Sequence, residues 1–428
     1  MFRNRSEGLS LTIGEESTWT MPFPRAFPYP YRAMMSICSD LDETPDDTVY
    51  LETIRFLNGT KVTTMGQGIG LEIGNTMYFD MPENQFSYWN ANEGGREAVR
   101  MLMRSGHIDC LHSFGDLADT RAHAEKALEE LERHGCKLKV WVDHGTAPSN
   151  FGSDIMKGSG DVPGSASYHA DLTFGYGIRY VWVGRVTSVT GQGVPRRFNG
   201  IFDIAHPLAS GKTVAKEGVK DLLAETIGGK YAMHAGNTVL REVALRDGHC
   251  GLEFVRCNPH FGGVSSCDTA DGLGHVLTTR VLDLLEERGG VCILYTHLGK
   301  ISDRNMPLRG ETVAALKHLA ERVRNGRILL TTTRRLLDFM NARKTHRFFA
   351  TRESDWTTVF VEEANGERKG TGSEVSAPDG LTFYVEDPEK TRMFYNGLEL
   401  SDLRRNPPDS TGRRSVSVPW IPLRIPEI

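Results

Sequence analysis

Between about residue 33 and residue 343, short apolar runs alternate with stretches whose apolar residues recur at helical spacing. The apolar runs are Ala33–Cys38, Gly70–Phe79, Ile108–His112, Lys137–Asp143, Ile178–Gly184, Leu252–Asn258, Val291–His297 and Ile328–Thr331. The helical stretches among them are Asp46–Leu57, Gly95–Arg104, Thr120–His134, Asp271–Arg288 and Glu311–Arg324. Apolar strands alternating with amphipathic helices predict an α/β fold of parallel strands covered by helices. Seven or eight such units predict a closed or slightly irregular (β/α) barrel, which keeps its active site at the C-terminal ends of its strands. The connection over about 185–250 is too long for a simple crossover and predicts an insertion near that mouth.

Beyond Arg343 the pattern changes. Phe348–Thr351, Thr357–Glu362, Leu381–Val385 and Arg392–Tyr395 are short, alternating and separated by Gly, Asp, Asn and Pro, the mark of a small antiparallel β domain. Asn396-Gly397 is a hairpin turn signal, and the stretch from Asn406 to Gly412 reads as a loop. The chain therefore divides into residues 1–344, a barrel with an insertion, and residues 345–428, a β domain. The link at Asn341–Thr345 has no Pro or Gly, which predicts that the second part packs on the first. With 39% apolar and 25% charged residues the composition is that of a soluble globular chain. A net charge of -5 argues against nucleic acid as a partner, and no apolar run is long enough to span a membrane. Seven scattered cysteines without a CxxC pair read as reduced core thiols. Together with a polar start at Met1–Glu7, they place the chain in the cytoplasm.

The chemistry gathers where the strands end. The first run closes in Asp40-Leu41-Asp42, and residues two apart on a strand share a side. Paired carboxylates need a cation near them, and such a pair can divide metal binding from proton transfer. The same segment also reads as a strand followed by a helix start, since Thr44-Pro45-Asp46-Asp47 suits a helix cap. The third run ends in His112-Ser113-Phe114-Gly115-Asp116, an imidazole and a carboxylate four apart that suit a divalent metal such as zinc. The fourth ends in Asp143-His144-Gly145 and the seventh in His297. Four strands thus terminate in Asp or His at the end where a barrel holds its active site.

This order of motifs resembles the polysaccharide deacetylases of the NodB-homology type, carbohydrate esterase family 4, over roughly residues 30–343. Asp40-Leu41-Asp42 matches that family's Asp-Asp motif in a spaced form. His112-Ser113-Phe114-Gly115-Asp116 matches its His-Ser/Thr-x-x-His motif, with Asp116 in place of the second His. Trp182 matches its Trp-bearing strand, and Tyr295-Thr296-His297 its late Leu-x-His. The Arg-x-Pro-Tyr-Gly motif is absent, and Asp143-His144-Gly145 stands in its place. The resemblance implies a distorted (β/α)7-type barrel with Asp40 as catalytic base and His297 as general acid. It further implies one divalent ion, zinc, on Asp42 and His112, with Asp116 as third ligand and His144 as the rival for that place.

Three further positions are weighed as substrate contacts alongside His144 and Trp182. His169 and Asp171 either line the mouth and meet sugar hydroxyls or simply start a helix. Arg256, closing the sixth run, binds a carboxylate or assists Asp40, or else forms a structural salt bridge. The expected activity is metal-dependent removal of an N-acetyl or related acyl group from an amino sugar of a bacterial-type glycan. The alternatives are a glycan-binding barrel that has lost the chemistry and a two-carboxylate glycoside hydrolase. The oligomeric state is left open.

Overall fold

The computed structural model describes residues 19–263, 268–364 and 377–428. Its largest element is a curled, mostly parallel sheet of eleven strands. In chain order these are β1 (Ala33–Ser39), β2 (Gly74–Met77), β3 (Ile108–His112), β4 (Val140–Val142), β5 (Tyr180–Trp182) and β6 (Val186–Thr187). They are followed by β7 (Leu240–Ala244), β8 (Cys250–Phe254), β9 (Arg256–Cys257), β10 (Val291–Thr296) and β11 (Ile328–Leu330). Each of the eight apolar runs contains a strand. The sequence pattern missed β7, which pairs antiparallel with β8 and has only one buried residue, so no apolar run marks it.

β1 is the hub. Met34–Ser39 pair along their length with β10, Ala33–Met35 with β11, and Cys38–Ser39 with β2. All seven of its residues are buried, which is why it reads as one apolar run without polar alternation. The pleat still divides its side chains. Ala33, Met35 and Ile37 join a cluster with helix residues such as Leu316 and Leu319. Met34 and Cys38 join another with Cys110, Val140, Val142, Tyr180, Phe254 and Ile293. This second set defines the inner face of the sheet, and its parity carries the chain's chemistry to the strand ends.

Six helices cover the five sequence stretches expected to be helical, with local reasons for their ends. Asp47–Asn58 starts at Asp46, whose carboxylate accepts from the Val49 amide at 3.0 Å. Glu93–Ser105 is capped by Asn92 and stops at Gly106, whose φ of 84° is the left-handed region. Arg121–Arg133 and Gly310–Arg324 end within a residue or so of expectation. The fifth stretch is broken into Leu273–Val276 and Thr279–Arg288, because the Thr278 hydroxyl caps a new helix on the Val281 amide. The insertion contains the 20-residue helix Pro207–Thr226 and a 3-10 segment over Gly229–Asn237.

The C-terminal strands form two four-stranded sheets rather than one antiparallel unit. In the first, Thr357–Val361 run parallel to Thr391–Tyr395, against the all-antiparallel expectation. Asn396 and Gly397 turn this sheet's last hairpin with φ of 47° and 83°, as the dipeptide predicted. In the second, Thr382–Tyr384 take Phe23–Pro24 as a neighbour, and Arg404–Asn406 with Ser415–Ser417 flank the expected loop. The boundary near Lys344 is therefore crossed by the chain before β1. It is crossed again by the C-terminal segment. Trp420 lies under the Arg335 guanidinium at 4.3 Å, the Leu423 amide donates to Glu72 at 2.9 Å, and Arg55 donates to the Ile428 carbonyl at 2.6 Å.

Among the described residues no helix is long and apolar enough to cross a membrane. Six described cysteines are unpaired, and Cys250 is exposed, unlike the buried Cys38, Cys110, Cys136, Cys257 and Cys292. Cys267 and the start at Met1–Glu7 lie outside the described residues.

One buried carboxyl lies well away from the strand ends. Asp109 in β3 accepts from the Arg334 amide at 2.6 Å and sits where a side chain on Gly74 would reach it at 2.8 Å. Burial pushes its pKa up to about 6 against the opposing Arg334 contact. A group whose folded pKa is raised gives stability below its unfolded pKa that is lost as pH rises through the folded value, here a loss of ~3 kcal/mol. Asp109→Asn keeps the acceptor and removes the charge. It should raise Tm relative to wild type more at pH about 7.5 than at about 4; an equal effect at both would show that Asp109 is not the titrating group.

Candidate functional site

The inner-face parity of each strand continues into its terminal residue. Met34, Ser36 and Cys38 lead to Asp40; Cys110 leads to His112; Val140 and Val142 lead to His144; Val291 and Ile293 lead through Tyr295 to His297; Phe254 leads to Arg256. Alternate residues of a strand share a face, so five strands deliver these groups to one place.

Arg256 and Asp40 form the centre. Arg256 is fully buried and Asp40 nearly so. The guanidinium donates to Asp40 through Nη1 at 2.6 Å and Nη2 at 2.9 Å, a two-pronged match. It lies over the Trp182 ring at 4.3 Å and near the Tyr295 ring at 5.2 Å. Trp182 is itself anchored through Nε1 to the Arg185 carbonyl at 2.7 Å. Burial pushes the Asp40 carboxyl up, but Arg256, with His112 and His297, more than offsets this and leaves its pKa lowered. Asp40 is therefore held ionised.

Asp42 collects the histidines. His144 Nε2 lies 3.3 Å and His297 Nε2 3.4 Å from its Oδ2, and the Tyr78 hydroxyl donates to its Oδ1. Burial raises the Asp42 pKa, yet these bonds to His144 and His297 carry it well below the usual carboxylate range. His144 Nδ1 lies 2.9 Å from Asp116. Burial opposes its charge, but Asp116 and Asp42 raise its pKa to about 10, so it is an imidazolium between two carboxylates. His297 Nδ1 donates to the Asp268 carbonyl at 2.6 Å. Burial lowers its pKa and Asp42 raises it further, so the net shift is upward. His112 differs: burial drives its pKa down to about 4. Its Nδ1 pairs with the Thr76 hydroxyl at 3.1 Å, while its Nε2 faces Asp40 at 3.9 Å. Tyr78 packs against both rings, with centroids 4.5 Å from His112 and 5.0 Å from His144.

The structure thus brings Asp40, Asp42, His112, Asp116, His144, His297 and Arg256 together. It does not bring His169, Asp171 or the edge of Trp182 to them. His169 is buried against Phe114, Trp141 and Phe151. Its two nitrogens are taken by Thr173 and by the Ser149 carbonyl, each at 2.8 Å. It caps the helix Ala170–Tyr176, where Asp171 pairs with Arg121 at 2.7 and 2.9 Å. Trp182 is buried beneath Arg256 and supports it. The sequence reading missed Tyr78, Thr76 and Tyr295. Tyr78 directly follows β2, and the strand-end rule applied to any polar residue would have found it.

Among the described residues no three His, Cys, Asp or Glu side chains already stand in a metal-holding arrangement. The donor chemistry nonetheless suits a divalent ion. Asp42 is ionised, and His112 is neutral with its second nitrogen held by Thr76, the protonation and support that a metal-binding imidazole requires. A third ligand could come from Asp116 or His144, which here face each other at 2.9 Å. No protein-family model, curated protein or solved structure matches this chain at a significant level.

The Asp40–Arg256 pair has a direct test. Removing one partner leaves a buried charge alone, at a cost of about 3–5 kcal/mol. Arg256→Gln and Asp40→Asn should each lower Tm, and the double variant should lose clearly less than the sum of the two single losses. Additive losses would mean that the two groups do not hold each other.

Proposed function

We propose that this chain is a metal-dependent hydrolase that removes an N-acetyl or related acyl group from an amino sugar of a bacterial-type polysaccharide. The observation that carries this reading is the convergence on one strand edge of an ionised Asp40 clasped by Arg256, an ionised Asp42, and three histidines: His112 kept neutral by burial, His144 charged between carboxylates, and His297 shifted upward by Asp42. The fold underlying it we take to be a distorted seven-stranded (β/α) barrel, with residues 1–344 carrying it and 345–428 as a β domain packed on it. Strand pairing supports part of this: one ladder runs from β8 and β5 through β4, β3, β2, β1 and β10 to β9 and β6, and among the described residues no pairing joins its two ends.

In this reading Asp42, His112 and either Asp116 or His144 hold the ion. When bound, a zinc-like ion would polarise the acyl carbonyl and bring the pKa of its water toward ~7. Asp40 takes the proton from the attacking water; Arg256 fixes the direction in which its carboxylate points. The low proton affinity of Asp40 keeps it in the basic form at neutral pH. His297, raised toward the protonated form and aimed by the Asp268 carbonyl, delivers a proton to the departing amine. The glycoside hydrolase alternative needs one carboxyl that keeps its proton, and both Asp40 and Asp42 are shifted the other way. A glycan-binding role without turnover is favoured by one observation: the His144 imidazolium faces both Asp42 and Asp116 and offsets part of their charge.

Two measurements test the reading. Acetylated amino-sugar oligomers should release acetate when zinc is supplied. His297→Ala should slow that release about 10²–10⁴-fold with metal content unchanged. Release unchanged in the variant removes His297 from the chemistry, and no release with any such oligomer, from folded protein that takes up no ion, favours the binding role. Calorimetric zinc titration at pH ~6, below the pKa of ion-bound water, in buffers of different ionisation heat decides the third ligand. If His144 binds the ion it must shed the proton that its pKa of about 10 retains, so about one proton should be released per ion. If Asp116 binds instead, His144 keeps its proton and release should be near zero.

A further inference from the structure

Behind the Asp40–Asp42 turn lies a small enclosed space lined by Ser39, Leu41, Thr44, Tyr50, Thr53, Asn75, Leu298 and Gly299, among others. It is bounded by three pieces of chain: the turn that follows β1, the helix Asp47–Asn58, and the turn that follows His297. Thr44, Tyr50 and Thr53 belong to its wall, and their hydroxyls are buried with no hydrogen-bond partner among the described residues. These residues are 1%, 5% and 4% exposed, so bulk solvent does not reach them. Tyr50 and Thr53 stand three apart on the helix and share a face.

A buried hydroxyl left unpaired forfeits the hydrogen bonds that water gives it in the unfolded chain, and three together would be a heavy penalty on one helix and one turn. The space is about large enough for one water molecule. A buried water makes about three hydrogen bonds, and three hydroxyls are offered. We infer that this cavity binds one ordered water molecule, shared by Thr44, Tyr50 and Thr53, which ties the turn carrying Asp40 and Asp42 to the first helix. The neighbouring turn is fixed to the same wall by direct bonds. The Leu298 amide donates to the Ser39 hydroxyl at 3.1 Å, and Gly299 packs so closely on Thr44 that a side chain there would overlap the hydroxyl. The water thus occupies the junction between the carboxylate turn and the turn carrying His297. This inference stands apart from the reaction proposed above, because a shared water would be present whatever the site does.

The experiment is a crystal structure of the full chain at a resolution that shows ordered solvent, combined with a mutant cycle. One density peak should lie about 2.7–3.0 Å from the Thr44, Tyr50 and Thr53 hydroxyl oxygens. An empty cavity, or hydroxyls turned to protein partners, overturns the inference. Tyr50→Phe and Thr53→Val each remove one hydroxyl with little change of shape. If both hold the same water, the loss in Tm of the double variant should be clearly smaller than the sum of the single losses. Strictly additive losses in variants whose cavity is otherwise unchanged would show that no water is shared. Thr53→Ser, which keeps the hydroxyl, should retain the peak.

Discussion

The buried pair of Arg256 and Asp40 is the contact on which the rest of the site depends. A guanidinium with no exposed surface requires a counter-charge, and Asp40 supplies it through two hydrogen bonds. The pair links the end of β1 to β9, strands that do not pair with each other but both pair with β10. It also fixes the direction of Asp40, so that His112 faces the same carboxylate from β3. The aromatic rings of Trp182 and Tyr295 pack on the guanidinium and keep water from competing for it. Replacing Asp40 by a neutral side chain therefore removes more than a proton acceptor, since it leaves the arginine charge alone.

Around that pair the three histidines are set apart by environment. His112 is enclosed, with only a hydroxyl on its inner nitrogen, and burial makes it neutral. His144 sits between two carboxylates and is charged. His297 faces one carboxylate and donates to a backbone carbonyl, and its pKa is raised. One residue type thus appears in distinct protonation states within a few ångströms. That is the arrangement expected where one group binds a cation and another moves a proton.

The geometry that gathers them is simple. Alternation along parallel strands divides outward apolar residues, which meet the helices, from inward ones, and the inward series ends in a polar residue at the strand's C-terminal edge. β1 sits among three neighbours and is buried on both faces, so the turn after it has little freedom. That turn is held by backbone bonds from Asp40 to Thr296 and from Thr44 to Leu41. The helix after it starts on Asp46.

What the sequence alone determined is the set of strands and their polar ends. The apolar runs at β1, β3, β4 and β10 stand out from their flanks, and Asp40, Asp42, His112, His144 and His297 close them in order, so period and position sufficed. The tertiary structure decided the partners. Arg256 lies 216 residues beyond Asp40, and no local pattern indicates which of its two readings holds; the fold shows that it binds the carboxylate of Asp40. His169 lay in a segment compatible with a mouth or a core, and only packing against Trp141 and Phe151 placed it in the core. Tyr78 carried no charge to mark it, yet it bridges His112, His144 and Asp42. The strand Phe23–Pro24 is too short to give a period, and its pairing with Thr382–Tyr384 is a contact across the whole chain. Local propensity and alternation are written in neighbouring residues; charge pairing and burial depend on which distant segments meet, and that is settled only when the sheet is assembled.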